Sequence, residues 1–128
     1  RSITRRRRSA AERRLREMKI SCQDYEHIAV LTLSGEFTAD DHDTFKRTVD
    51  ERMKQGARHV VLDCQHLEFI DSKALEDTIA LQRTLGERGG QVRLVAPDET
   101  VSAILRLTRL DVALESHPSL ENAVRSLR

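Results

Sequence analysis

The chain has no tryptophan, one tyrosine and three phenylalanines in 128 residues. Single-stranded nucleic acid is held largely on stacked aromatic rings, so this scarcity argues against a stacking surface. No apolar run approaches the roughly 20 residues that a membrane-spanning helix needs. The basic start is not followed by an apolar stretch, so no signal peptide is visible. Cys22 and Cys64 lack CxxC spacing; they make no disulfide framework and suit a reducing cytoplasm. There is no glycine-rich phosphate loop, no internal repeat and no histidine pair at H-E-x-x-H spacing. No serine sits in a G-x-S-x-G elbow. Cys64 and His66 are two apart, but two ligands do not make a metal site. Nothing brings a nucleophile, a base and an oxyanion hole together. The chain therefore reads as a non-enzyme with no cofactor and no metal.

What is present is enough for one domain. Apolar residues make up 38% and charged residues 34%. The net charge of +1 hides an asymmetry: residues 1–19 sum to +7 and residues 20–128 to −6. The division is a basic arm, residues 1–18, and an acidic domain, residues 19–128. Arg5 to Arg8 repel one another and offer nothing to bury, so residues 1–9 read as disordered. Residues 10–18 are helix formers with almost no apolar face. Such an arm is either a solvated tail or a ligand for nucleic-acid phosphates, anionic lipid or an acidic partner, its own domain included.

From Ile20 the pattern becomes regular. Ile20 and Cys22 alternate with polar residues as in a half-buried strand, and Asp24 to Glu26 reads as a turn. His27 to Leu33 is apolar on both faces, which predicts a central strand ended by Gly35. Phe45, Val49 and Met53 lie four apart and predict one buried face of a helix over 40–55, ended by Gly56. Val60 to Leu62 reads as a short buried strand, Gln65 to Asp71 as a loop. The next helix is expected over about 72–87, with Ala74, Leu75, Ile79, Leu81 and Leu85 inward. Val92 to Val95 predicts a strand. A third helix opens at Pro97-Asp98 and places Val101, Ile104, Leu105 and Thr108 inward. Asp111 to Glu115 suits a short edge strand, and Pro118-Ser119 opens a last helix bearing Leu120, Ala123, Val124 and Leu127. Strand–helix–strand units imply parallel neighbours and right-handed crossovers. The whole is an α/β chain with a mixed sheet.

Asp63 to Leu75 is the informative stretch, because it runs from a buried strand to a helix start at Asp71-Ser72. Asp or Ser at that boundary accepts bonds from free backbone N–H groups, which makes a helix cap the plain reading. The same helix start, with its free N–H groups and partial positive charge, also suits a phosphate. Phosphate on Ser72 would add roughly −1.5 to −2 charge beside Glu68, Asp71, Glu76 and Asp77, with Lys73 offsetting part of it.

Four stretches resemble the STAS domain, the fold of anti-sigma factor antagonists and of the cytoplasmic tails of sulfate transporters. They are Leu31 to Phe37, Val60 to Leu75, Gly89 to Val95 and Val101 to Leu110, and the similarity spans residues 20–127. The resemblance implies a mixed four- to five-stranded sheet with about four helices largely packed on one face. It implies that Ser72 is phosphorylated by a serine-kinase-type anti-sigma factor of the histidine-kinase-like ATPase class. The unmodified antagonist binds that partner, phosphorylation breaks the complex, and a phosphatase restores it. The implied contact surface is Asp71, Lys73, Glu76 and the turn Glu36-Phe37-Thr38. Where the family has Asp-Ser-Ser/Thr-Gly, this chain has Asp71-Ser72-Lys73-Ala74; the acceptor is kept and its two followers are not. The family's Thr-Gly-Leu is Thr108-Arg109-Leu110, which requires a left-handed Arg109 if the helix end is the same. The alternative is an unphosphorylated STAS interaction module: a scaffold in a signalling assembly, self-associating copies, or an accessory subunit of a transporter.

Overall fold

The computed structural model describes residues 16–128, so the expectations for residues 1–15 of the arm lie outside it. The last arm residues join the folded body: Met18 is buried in the main core and Glu17 bridges to Glu36. The elements are β1 (Lys19–Tyr25), β2 (Ile28–Phe37), a 3-10 turn (Ala39–Asp41), α1 (His42–Lys54), β3 (His59–Ile70), α2 (Ser72–Gly86), β4 (Val92–Val95), α3 (Glu99–Leu107), β5 (Ser116–His117) and α4 (Leu120–Ser126).

The five strands lie in sequence order in one mixed sheet. β1 is antiparallel to β2; β2, β3, β4 and β5 are parallel. Right-handed crossovers between successive parallel neighbours bring their helices to the same face. Alternate residues Ala29, Leu31, Leu33, Val60, Leu62, Val92 and Leu94 meet Phe45, Val49, Leu75, Leu81, Val101 and Leu105 there. Ile28, Val30, Val61 and Val95 point the other way and form a second, smaller core with Ala123, Leu120, Val124 and Leu127 of α4. Three helices thus share one face and the fourth covers part of the other, close to the expected arrangement.

Several local readings are corrected. The β1–β2 turn is at Glu26 and His27, not Asp24 to Glu26, and Glu26 takes a left-handed φ of 56°. Cys22 is exposed because β1 is an edge strand beyond the helical layer, held to α1 by Arg52 and Asp24 at 3.0 Å. Gly35 does not end β2; the strand continues to Phe37. Gln65 to Ile70, read as a loop, is the second half of β3 and pairs with β2. Between Thr32 and Phe37 the register lets β3 gain two residues on β2. Each extra residue is a bulge that breaks the two-residue alternation, and Asp63 supports the first by accepting the Gln65 N–H at 3.1 Å. Thr108 is exposed, not inward, because it is the C-cap of α3. The last strand falls at Ser116–His117 rather than within 111–115; residues 111–113 form a turn after the helix.

Two left-handed positions illustrate what the backbone demands. Gly35 has φ 87°, and a Cβ there would lie 2.6 Å from the Glu17 carbonyl oxygen. Only glycine lets residues 16–17 cross so closely. Arg109 has φ 61°. The Leu110 N–H donates to the Leu105 carbonyl at 2.9 Å and the Arg109 N–H to that of Arg106 at 3.1 Å, which is a Schellman end with arginine where glycine usually sits. Gly35→Ala should therefore lose about 1–3 kcal/mol through strain and clash. Arg109→Gly should gain about 0.5 kcal/mol, relief of strain exceeding the added chain entropy. Thermal unfolding followed by circular dichroism checks both.

Candidate functional site

The site forms where the long halves of β2 and β3 end side by side. β2 finishes at Phe37, paired with Ile70 of β3, and both strands turn into helix starts there. Asp71 joins the two starts. Its Oδ1 accepts the Ala74 N–H at 2.8 Å, its Oδ2 accepts the Ala39 N–H at 2.9 Å, and its own N–H donates to the Phe37 carbonyl at 3.0 Å. Asp71, not Ser72, is therefore the cap of α2. Thr38 caps the neighbouring turn: its Oγ1 accepts the Asp40 N–H at 3.3 Å, while its N–H donates to Asp41 at 2.8 Å. Burial pushes the Asp41 carboxyl above its ordinary range, and the charges of Asp40 and Glu17 add to the rise.

Ser72 is the first residue of α2 and is exposed. Because Asp71 already caps the helix, the Ser72 hydroxyl makes no hydrogen bond among the described residues. The N–H groups of the first helical turn have no acceptor within the helix. Lys73 and Glu76 are exposed beside it. Lys73 reaches one turn on along the helix to Asp77, Nζ to Oδ1, at 3.4 Å. Glu36 pairs with Arg16 at 3.3 Å and, with Glu68 and Phe69, lines a shallow hollow next to the site. The structure thus gathers Glu36, Thr38, Asp71, Ser72, Lys73 and Glu76 at one end of the sheet.

Phe37 does not belong with them. Its side chain is fully buried and packs on Phe45 with ring centroids 4.8 Å apart, so it supports the turn from beneath and offers no ring to a partner. Its position beside a turn suggests the surface, whereas the extended β2 directs it inward. Two features escaped sequence reasoning. Phe69 is 39% exposed beside Glu36, in a segment whose sequence reads as a loop but which pairs with β2. Asp77 is buried although its neighbours Glu76 and Lys73 are not; its place on the inward i, i+4 face with Leu81 was the available signal. Beyond it, α1 and α2 leave a cleft walled by Phe45, Val49, Met53, Ala80 and Leu81.

The remaining sulfur and histidine candidates are separated. Cys64 is buried and its thiol is pushed up to about 12 by burial, which leaves it un-ionised and inert. His66 is exposed. Among the described residues no group of three or more His, Cys, Asp or Glu could hold a metal ion, and none of their helices is long and apolar enough to cross a membrane.

A five-stranded mixed sheet in sequence order, with three helices on one face and a capped helix start at its rim, is the STAS class of fold. The family model described as "Mlab, STAS domain" matches residues 20–116, and the chain belongs to the STAS-domain family. A Thermotoga maritima protein classed by name with the anti-sigma factor antagonists is 28% identical over 102 residues, covering 79% of this chain and 90% of that one. The crystal structure of an anti-sigma factor antagonist from Mycobacterium paratuberculosis superposes with a TM-score of 0.77 at 22% identity, over 88% of this chain and 95% of that one. The unphosphorylated form of the anti-sigma factor antagonist SpoIIAA gives 0.73 at 18% identity, over 86% and 99%.

Removing the Asp71 carboxylate orphans one N–H at each helix start. Asp71→Ala should cost about 2 kcal/mol, twice the usual loss for one cap, while Asp71→Asn, which keeps an acceptor for one N–H, should lose about half as much. Urea unfolding with an unchanged denaturant slope is the measurement.

Proposed function

We propose that the chain is an anti-sigma factor antagonist whose partner is an anti-sigma factor with serine-kinase activity of the histidine-kinase-like ATPase type. The unmodified form binds this partner. The kinase moves the γ-phosphoryl group of ATP to the Ser72 oxygen, releasing ADP and the hydroxyl proton, and the modified form dissociates until a phosphatase removes the phosphate by hydrolysis. The chain is the substrate and the switch in this cycle, not its catalyst, and the cycle belongs to the cytoplasm.

The observation that carries this reading is the free Ser72 hydroxyl on an exposed helix start whose cap is the neighbouring Asp71. A phosphate can be added there without breaking a bond of the fold. It would bring roughly −1.5 to −2 charge to a rim that already carries Asp71, Glu76 and Glu68. A partner docked through carboxylate or apolar contacts is then repelled, while the domain keeps its core. Thr38, Glu36, Asp71, Lys73 and Glu76 supply the contact surface, and Phe37 holds it in place. The relatives support the reading by their names, and SpoIIAA has been solved in a phosphorylated form as well.

A second reading, a constitutive subunit of a transporter or signalling assembly, is favoured by two observations. The matching family model carries the Mlab name, and Lys73-Ala74 stand where the antagonist pattern has Ser/Thr-Gly.

The two are separated by labelling. Incubating the full chain with a co-encoded kinase and ATP should place one phosphate on Ser72, and Ser72→Ala should abolish it. Ser72→Asp should weaken binding to that kinase at least about tenfold through charge repulsion and leave the melting temperature nearly unchanged. Labelling elsewhere, or equal binding by the two forms, would leave the second reading in place.

A further inference from the structure

Asp77 is the one charged residue buried among the described residues. Its side chain is 8% exposed. A buried carboxylate costs several kcal/mol unless it is matched. Here one oxygen faces a basic side chain from each of two helices: His42 Nδ1 of α1 lies 2.9 Å from Oδ1, and Lys73 Nζ of α2 lies 3.4 Å from the same oxygen. Among the described residues Oδ2 is buried with no hydrogen-bond partner, and the short His42 contact lacks hydrogen-bond geometry. The match is shared, so a change in the charge of one partner alters the hold on the other.

Lys73 is also the neighbour of Ser72. Its side chain is 46% exposed, and its four-carbon stem is flexible, so moving the ammonium unburies little. In the unmodified chain Asp77 holds it. A phosphate on Ser72 offers up to twice the negative charge of Asp77.

Resting on Ser72 as the acceptor, we infer that Lys73, Asp77 and His42 form a relay that carries the phosphorylation state of Ser72 to α1. The phosphate draws the Lys73 ammonium off Asp77. The buried carboxylate is then left with His42, which takes up a proton from solvent and is held in its cationic form. Lys73 and Asp77 are positioning residues in this scheme, and His42 is the reporter on the second helix. The other charges around His42 are Asp40, Asp41 and Asp43 on its own segment and Lys46 one turn on, which is engaged with Asp50 at 3.2 Å. Glu76 of α2 is exposed beside Asp77. Of these groups only Glu76 lies between Ser72 and Asp77 along α2, and it is an acid; Lys73 is the cation there and the one paired with Asp77.

The test is the titration of His42, read from its imidazole carbon-bound proton by NMR in the full chain and assigned with His42→Gln. Lys73→Met should raise the His42 midpoint by roughly half a pH unit or more, about a threefold gain in proton affinity. Lys73→Arg should stay near the unsubstituted value. Asp77→Asn should lower the midpoint and remove its dependence on Lys73. Ser72→Asp should raise the midpoint in the native background and by less than half as much when combined with Lys73→Met. Equal rises in both backgrounds would mean that the anion acts on His42 directly, and would overturn the relay. So would a His42 midpoint indifferent to Lys73→Met, or one raised by Lys73→Met but unmoved by Ser72→Asp. The Lys73 comparison needs no kinase, so its failure is distinct from a failure to label Ser72.

Discussion

One carboxylate holds together the end of the domain that carries the candidate switch. Asp71 binds the first turn of α2 with one oxygen and the turn preceding α1 with the other, at 2.8 and 2.9 Å. Two helix starts would otherwise present orphan N–H groups at the same rim. Sharing a single acceptor brings them into register and frees the next residue, Ser72, from any capping duty. Division of labour between adjacent residues therefore leaves an exposed hydroxyl at the start of a stable helix.

That rim exists because β2 and β3 are longer than their hydrophobic runs. Their second halves are carried by two bulges in β3 and a left-handed Gly35 in β2. The bulges add residues to one strand only, which twists it and re-aims its side chains. Leu67 and Ile70 still reach the core, while Glu68 and Phe69 face outward. The extension places Glu36 beside Phe69 and carries Phe37 under the turn, where its ring braces α1 through Phe45. The surface of the rim is thus set by backbone irregularity as well as by its composition.

The helices sort the charges. Asp40, Asp41 and Asp43 stand at the start of α1, Glu99 in the first turn of α3, and Arg52, Lys54, Arg83 and Arg106 in last turns, each sign at the end its helix dipole favours. The acids beside Ser72 come from the neighbouring start of α1, since α2 has none in its own first turn. Asp77 is the exception, a carboxylate drawn into the helix–helix contact and matched by His42 and Lys73.

Much of the architecture could be read directly. Helices with a 3.6-residue apolar period and the uniformly apolar strand cores were legible, because both patterns depend on near neighbours. So was the Asp71-Ser72 helix start, whose chemistry is local. The second half of β3 was not, since bulges erase the alternation on which strand reading relies. Phe37 and Asp77 misled for a related reason. An aromatic beside a turn and an acid between exposed residues both look solvated, until β2 is seen to continue and α1 to lie against α2. Sequence order, local periodicity and turn chemistry settled the class of fold and the position of the serine. Which residues share the rim, which carboxylate is buried and what it pairs with were settled by long-range packing, because those energies arise between segments tens of residues apart and leave no local pattern in the chain.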